Sequence, residues 1–338
     1  MGESGEPLME EPNYSLESIQ FDEPQKQEWL VDGVIARNGL TVIYGPQKTY
    51  KTFLVTDIAL SAASGIPWKG HAVDKLGLPV TYVAMEGADN LKYYRVPAWL
   101  KHYEQNSDVG PVSIVREPLY LLSDRHVEDF IDTVGRDVHR FPSGYSHKSP
   151  RLVVVDTLAR TFWDGDENNA KDMTGAVQAL DRIRQELSTA IVVVHHTGKD
   201  ADKGARGSSV LEAAADSVFS VKAPKKNRIV LTNKHQRFTA PLAPMTLDLK
   251  EVTGSTVEFS TLVVGDEVEA APRPLDRSSR QEEALAALKN IGPARRSDFA
   301  KASGLKGGTF DRALKALEED GLIEKRAGLY YPTLAPAA

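Results

Sequence analysis

Apolar positions along this chain fall into two patterns. From about Trp29 onward, short apolar runs recur between breaks rich in Gly, Pro, Asn and Asp. Leu40–Tyr44, Val80–Met85, Val112–Val115, Leu152–Val155, Ile191–Val194, Val218–Val221 and Ile229–Thr232 read as strands. Between several of them apolar residues return at helical spacing, as in Phe53–Ser64 and Met173–Ser188. The run RLVVVD (Arg151–Asp156) is apolar on both faces, as a central parallel strand requires. Strands alternating with helices predict an α/β fold with a mainly parallel sheet. Phe141–Pro150 reads as a loop.

The pattern changes near both ends. Residues 1–27 are acidic, without periodicity, and read as a flexible arm. Residues 28–263 form the α/β domain. Residues 264–279, rich in Pro, Ala and charge, read as a linker. Over 280–334 the order becomes helix, helix, helix, hairpin, with Ser297 as the expected cap of the second helix. In the third helix Phe310, Ala313, Leu314 and Leu317 form an inward stripe, leaving Thr309, Arg312 and Lys315 outside. No internal repeat is evident.

Composition narrows the function classes. The 338 residues are 26% charged and 41% hydrophobic, with a formal net charge of −6. The chain carries no global basic field, so nucleic-acid contact has to be local. Residues 277–326 hold 11 Lys/Arg against 8 Asp/Glu, a local excess of +3. There are no cysteines, which excludes disulfides, thiolate catalysis and Cys-based zinc sites. The acidic N-terminus lacks the apolar core of a signal peptide. No apolar run approaches the roughly 20 residues of a membrane span. The expectation is a soluble, cytoplasmic protein.

Candidate chemistry begins at GPQKTYKT, residues 45–52. Gly45, Lys51 and Thr52 stand in the register of the phosphate-binding pattern G-x-x-x-x-G-K-[ST], but Tyr50 replaces its second glycine. A strand before and a helix after supply the required context. The loop Gly45, Pro46, Gln47, Lys48, Thr49 and Tyr50 would wrap the phosphates, its backbone N–H groups toward the helix start cradling them, with Lys51 reaching the β/γ oxygens and Thr52 holding Mg²⁺. Tyr at position 50 has to take backbone angles that glycine adopts freely. The bland alternative is a strand-turn-helix corner with a chance Lys-Thr. Asp156, at the tip of the RLVVVD strand, fits a carboxylate holding Mg²⁺ through water. The alternative is a strand that merely ends in Asp. Thr157 follows it, so the base for an attacking water has to come from elsewhere. Glu86, after VTYVAM and before Gly87, is the candidate; taken alone it also reads as a surface acid. His195 and His196 end the strand IVVVHH, where an imidazole could hydrogen-bond a γ-phosphate. A metal site lacks a third ligand at the usual spacing, and a structural His is the remaining alternative.

The ordered set GPQKTYKT, VAMEG, VVVDTLAR with GDENNAKDM, VVHHTGK and ARGSSVLEAAADSV resembles the RecA-fold ATPases of the RepA-like replicative helicase family, relatives of DnaB found in plasmids and phages. The resemblance covers roughly residues 28–262. It implies a RecA-like P-loop ATPase core using ATP and Mg²⁺. It also implies a homo-oligomeric ring, usually a hexamer, with nucleotide between subunits and single-stranded DNA in the pore of a bacterial or phage-infected cell. In LTNKHQRF it offers Arg237 as the candidate arginine finger acting on a neighbouring subunit, with Lys234 as companion, and the K-x-x-R spacing leaves the role open to either residue. The alternative there is a solvated basic hairpin. It places two loops at the pore, Arg160–Asp172 and Thr197–Gly207. The second carries Lys199, Lys203 and Arg206, cations suited to a phosphate backbone. The C-terminal order is similar to a winged helix, which would present Arg312 and Lys315 to a duplex groove, with Lys325 and Arg326 on the wing. Such modules also dock proteins.

The leading expectation is an ATP-driven, ring-forming motor on single-stranded DNA, a replicative helicase. A recombinase-class DNA-dependent ATPase and a nucleotide-binding regulator or loader acting through the winged helix stand as alternatives, separated by assembly state and DNA-stimulated turnover.

Overall fold

The computed structural model describes residues 26–74, 77–105, 110–137, 151–196, 206–254, 260–268, 279–319, 322–326 and 328–333. The chain divides into two compact units, residues 1–268 and 269–338.

The first unit is built on a nine-stranded sheet. Its strands are β3 (Leu40–Gly45), β4 (Val80–Ala84), β5 (Val112–Val115), β6 (Leu152–Asp156), β7 (Ala190–His196), β8 (Ser217–Lys225), β9 (Arg228–Gln236), β10 (Met245–Thr253) and β11 (Ser260–Glu267). A short ribbon, β1 (Trp29–Val31) with β2 (Ile35–Ala36), precedes them. The sheet order is β11-β10-β9-β8-β3-β7-β6-β4-β5. From β5 to β8 every pairing is parallel, whereas β9, β10 and β11 continue antiparallel. This is a mixed α/β architecture with a mostly parallel central sheet. Helices are α1 (Lys51–Ser64), α2 (Ala88–Asn90), a π-helical turn Leu91–Arg95, α3 (Val96–His102), α4 (Asp124–Arg136), α5 (Ala170–Glu186) and α6 (Arg206–Ala214).

The doubly apolar strands are explained by two cores, one on each sheet face. Ile43, Val154, Val192 and Val194 pack with Leu54, Val55 and Ile58 of α1. The alternate residues Val42, Val153, Val155 and Val193 pack with Phe130 of α4 and Met173 and Leu180 of α5. Asn169 caps α5, its side chain accepting from the Lys171 and Asp172 N–H groups. No helix among the described residues is long and apolar enough to cross a membrane.

Strands β8 and β9 run several residues beyond the apolar stretches that mark them. β10 alternates apolar and polar (Met245, Leu247, Leu249 against Thr246, Asp248, Lys250), so no continuous apolar run announces it. β11 runs through Glu267, which takes residues 264–267 of the expected linker into the sheet.

The second unit contains α7 (Ser279–Ile291), α8 (Arg296–Ser303), α9 (Gly308–Glu319) and a hairpin of β12 (Ile323–Arg326) and β13 (Leu329–Pro332). Phe310, Ala313, Leu314 and Leu317 are buried around Phe299 and Tyr330. Ser297 does not cap α8. The cap position is Arg295, without a side-chain hydrogen bond, and Ser297 lies inside the first turn.

Candidate nucleotide site

The parallel strands deliver the candidate residues to one edge of the sheet. Gly45 sits opposite His196, and Asp156 lies in register with Val194 on one side and Ala84 on the other. Glu86 follows β4 by two residues. The carboxyl ends of β3, β4, β6 and β7 therefore present Lys51, Thr52, Glu86, Asp156, His195 and His196 together. This is the end of an open parallel sheet where ligands bind.

At Gly45 no side chain fits, because a Cβ would come 2.3 Å from the Val221 carbonyl oxygen on β8. Pro46, Gln47 and Lys48 are exposed. Tyr50 adopts φ 64°, ψ 21°, the left-handed region, and stands at the N-cap of α1 without a side-chain cap. Such a conformation costs a non-glycine residue on the order of 1–3 kcal/mol. The Tyr50 side chain supplies compensating contacts. Its hydroxyl accepts from the Asn227 N–H at 3.3 Å in the β8–β9 turn, and its ring packs against the α1-side core beside Phe53. Tyr50 thus ties the loop to the neighbouring hairpin.

Lys51 is buried, and its ammonium donates to the carbonyls of Gly45 (2.9 Å) and Pro46 (2.7 Å). Burial pulls its pKa down to about 8, against the opposing attraction of Asp156. Thr52 Oγ1 lies 3.4 Å from Asp156 Oδ1. Asp156 is buried too, and burial raises its pKa more than Tyr82, Thr52, Arg95 and Lys51 lower it. The Asp156–Thr157 peptide is cis. Gly87, at φ 68°, lets the chain turn away after Glu86, whose carboxylate is exposed and paired with Arg160.

His195 is buried and held down to about pKa 4, first by desolvation, then by His196 and Lys51. His196 is lowered chiefly by burial. Both rings are therefore neutral near pH 7. Their Nδ1 atoms, and Glu167 Oε2 at 3.7 Å from His195 Nδ1, have no hydrogen-bond partner among the described residues. A hydroxyl beside a carboxylate, a buried ammonium and orphaned imidazole nitrogens at a helix start form a donor set that fits a magnesium-bound nucleoside triphosphate.

Other candidates stand apart. Arg237 follows β9, whose antiparallel run carries it to the amino end of β3. It pairs with Asp216, side chain to side chain at 2.8 Å and backbone to backbone at 2.8 Å, while Asp216 Oδ2 accepts from the Leu40 N–H. At the strand rise it lies about 17 Å along the sheet from the chain's own Gly45, out of reach of its own loop. Lys234 is exposed on the same strand. Lys199 and Lys203 lie outside the described residues, as does the side chain of Arg206, which begins α6. In the second unit Arg312 is exposed and donates to the Gly308 carbonyl; Lys315 is exposed; Lys325 sits over the Tyr330 ring; Arg326 pairs with Glu324.

The family described as AAA domain matches residues 6–202, more than half of the chain and all of the P-loop, Glu86, Asp156 and the two histidines. The chain belongs to the AAA domain family. Its first unit is a P-loop NTPase fold. The match ends before Lys234, Arg237 and the second unit. Among solved structures the chain is similar to the RadB recombinase, with a TM-score of 0.44 and 17% identity over 64% of this chain and 89% of that one. No curated protein matches.

Several neighbours of this AAA domain site were given no role in it by the sequence: Tyr82, Arg95, Arg160 and Glu167. Tyr82 had one legible signal, a hydroxyl inside an otherwise apolar buried strand, which needs a partner. The other three are charges in loops and helices whose proximity only folding creates.

Proposed function

We propose that the chain is an ATP-hydrolysing, ring-forming motor on single-stranded DNA, of the RepA-like replicative helicase type. The observation that carries the ATPase reading is the convergence of Lys51, Thr52, Glu86, Asp156 and His195 at one sheet edge. In this reading the loop amides and Lys51 hold the phosphates, and Thr52 with Asp156 holds Mg²⁺. Bound there, Mg²⁺ would neutralise charge on the β- and γ-phosphate oxygens. Glu86 leaves Arg160 to orient and deprotonate the attacking water. Neutral His195 and His196 offer hydrogen bonds to the γ-phosphate.

Ring assembly is supported by the position of Arg237, which lies about 17 Å along the sheet from its own Gly45, so that action on a nucleotide would be on a neighbour's, with Lys234 as its companion. Lys199, Lys203 and Arg206 supply the pore-facing cations in this reading. The second unit acts as a winged helix that recruits the ring to duplex DNA through Arg312, Lys315, Lys325 and Arg326.

The test is ATP hydrolysis with and without single-stranded DNA, on protein whose mass is determined with an ATP analogue bound. DNA-stimulated turnover by a closed ring supports the motor. A DNA-dependent filament moves the assignment to the recombinase class. Nucleotide binding without stimulated turnover, in a monomer or dimer, moves it to a regulator.

Two variants probe the roles. Glu86→Gln is expected to keep ATP affinity within about threefold while lowering turnover roughly 100-fold or more, the usual worth of a general base; an equal loss of binding would make Glu86 structural. Arg237→Ala subunits mixed into active protein are expected to suppress turnover more steeply than their fraction. A linear decline removes the in-trans role, leaving Arg237 as the partner of Asp216.

A further inference from the structure

Strand β4 brings Glu86 to the sheet edge, and four residues earlier it carries Tyr82. Tyr82 is 3% exposed, yet its hydroxyl is a polar group that the proposed chemistry does not use. It donates to Asp156 Oδ2 at 2.8 Å. Thr56 Oγ1 of α1 lies 3.5 Å behind it. The other Asp156 oxygen, Oδ1, faces Thr52. The two oxygens are thereby divided, one bound to β4 and one turned to the loop.

The sheet register makes this division possible. Ala84 is the direct neighbour of Asp156 across β4 and β6, and Tyr82 pairs one pleat lower with Val154 on the same face. The small Ala84 side chain leaves room for the ring of Tyr82 to lean along the strand and reach the carboxylate. The terminal torsion of an aspartate is broad and roughly two-fold, so a carboxylate held only by packing has no preferred setting. The Tyr82 hydroxyl selects one.

We propose that Tyr82 is a positioning residue for the divalent cation. By holding Oδ2 it keeps Oδ1 of Asp156 oriented, beside Thr52, toward the hydration shell of Mg²⁺. This rests on the reading of the loop as a magnesium–nucleotide site. Partners that orient a metal-binding carboxylate typically change metal affinity by roughly 10- to 100-fold when removed. A hydroxyl that only satisfied a buried carboxylate would affect stability alone.

The experiment titrates Mg²⁺ into protein with a fluorescent ADP analogue, for wild type and Tyr82→Phe, and records thermal unfolding without metal. The expected result is a rise of roughly tenfold in half-saturating Mg²⁺, with nucleotide binding in EDTA unchanged. Added to Asp156→Asn, the same substitution is expected to produce no further shift. An unchanged Mg²⁺ dependence in folded Tyr82→Phe, whatever its melting temperature, overturns the proposal. Should Tyr82→Phe not fold, 4-fluorophenylalanine at position 82 fills the hydroxyl's volume without donating and is judged by the same criterion. Wild-type protein that binds the nucleotide with no Mg²⁺ dependence overturns the site reading itself, a result separable from failure at Tyr82.

Discussion

Lys51→Ala is expected to reduce ATP turnover to below about 1% of wild type, because it removes the desolvated cation that holds the phosphates in the proposed reading. In such an environment a single preorganised donor is worth roughly 10²–10³ in rate. Lys51 meets the conditions for this. It is buried, it projects from the first position of α1, and its ammonium already lies against the loop. Among the described residues its hydrogen bonds go to the loop carbonyls and, at 3.5 Å, to Thr49 Oγ1. The carbonyls of Gly45 and Pro46 can turn to water in the variant, so the melting temperature should move little. Steady-state turnover and thermal unfolding, measured together, separate the two effects. Turnover above about a tenth of wild type would show that the loop's amides alone carry the site, and that the motif's lysine is incidental here.

The largest stability effect is expected one turn and a half along the same helix. Asp57 is fully buried and accepts hydrogen bonds from Trp68 Nε1, Trp99 Nε1 and Tyr103 OH, each at 2.9 Å. Lys69 Nζ approaches to 3.3 Å, and Lys69 also donates to Tyr103 OH and to the Val264 carbonyl of β11. Burial pushes the Asp57 carboxyl up, against the opposing pull of Lys69 and the three donors. One carboxylate therefore joins α1, the turn after it, α3 and the far edge of the sheet. Asp57→Ala leaves two indole N–H groups unpaired and a buried ammonium without its counter-charge. Breaking such a buried pair costs roughly 3–5 kcal/mol. For a unit of this size each kcal/mol lowers the melting temperature by about 2–4 °C, so a drop on the order of 10 °C is expected. Urea or thermal unfolding checks it. A loss under about 1 kcal/mol would mean that water enters the cluster and replaces the carboxylate.

These two residues divide legible from illegible. Lys51 could be read from GPQKTYKT because a phosphate loop is local: strand, turn and helix start lie within about a dozen residues, and the spacing itself encodes the geometry. Asp156, Glu86 and the histidine pair were legible for a related reason. Each ends a strand whose apolar run is visible, and parallel strands bring such ends to one edge. Asp57 was not legible. Its partners come from two further segments, Trp68–Lys69 and Trp99–Tyr103, and an aspartate inside VTDIALSAAS looks like a solvent-facing helix residue. Tyr82 escaped for the same reason, since only the β4–β6 register sets its hydroxyl against Asp156.

The sequence by itself determined the α/β class, the central apolar strands, the phosphate loop and the polar residues that end the strands around it, because periodicity and short motifs are properties of neighbouring residues. Tertiary structure decided the rest. It drew residues 264–267 into β11, since an edge strand is made by pairing and not by composition. It set Tyr50 in a left-handed conformation and offset the strain through Asn227 and the core. It placed Arg237 beside Asp216 at the opposite end of the sheet from Gly45, which follows from β9 running antiparallel to β8. Direction of pairing, strand register and burial of charge are relations between distant segments, and a chain acquires them only by folding.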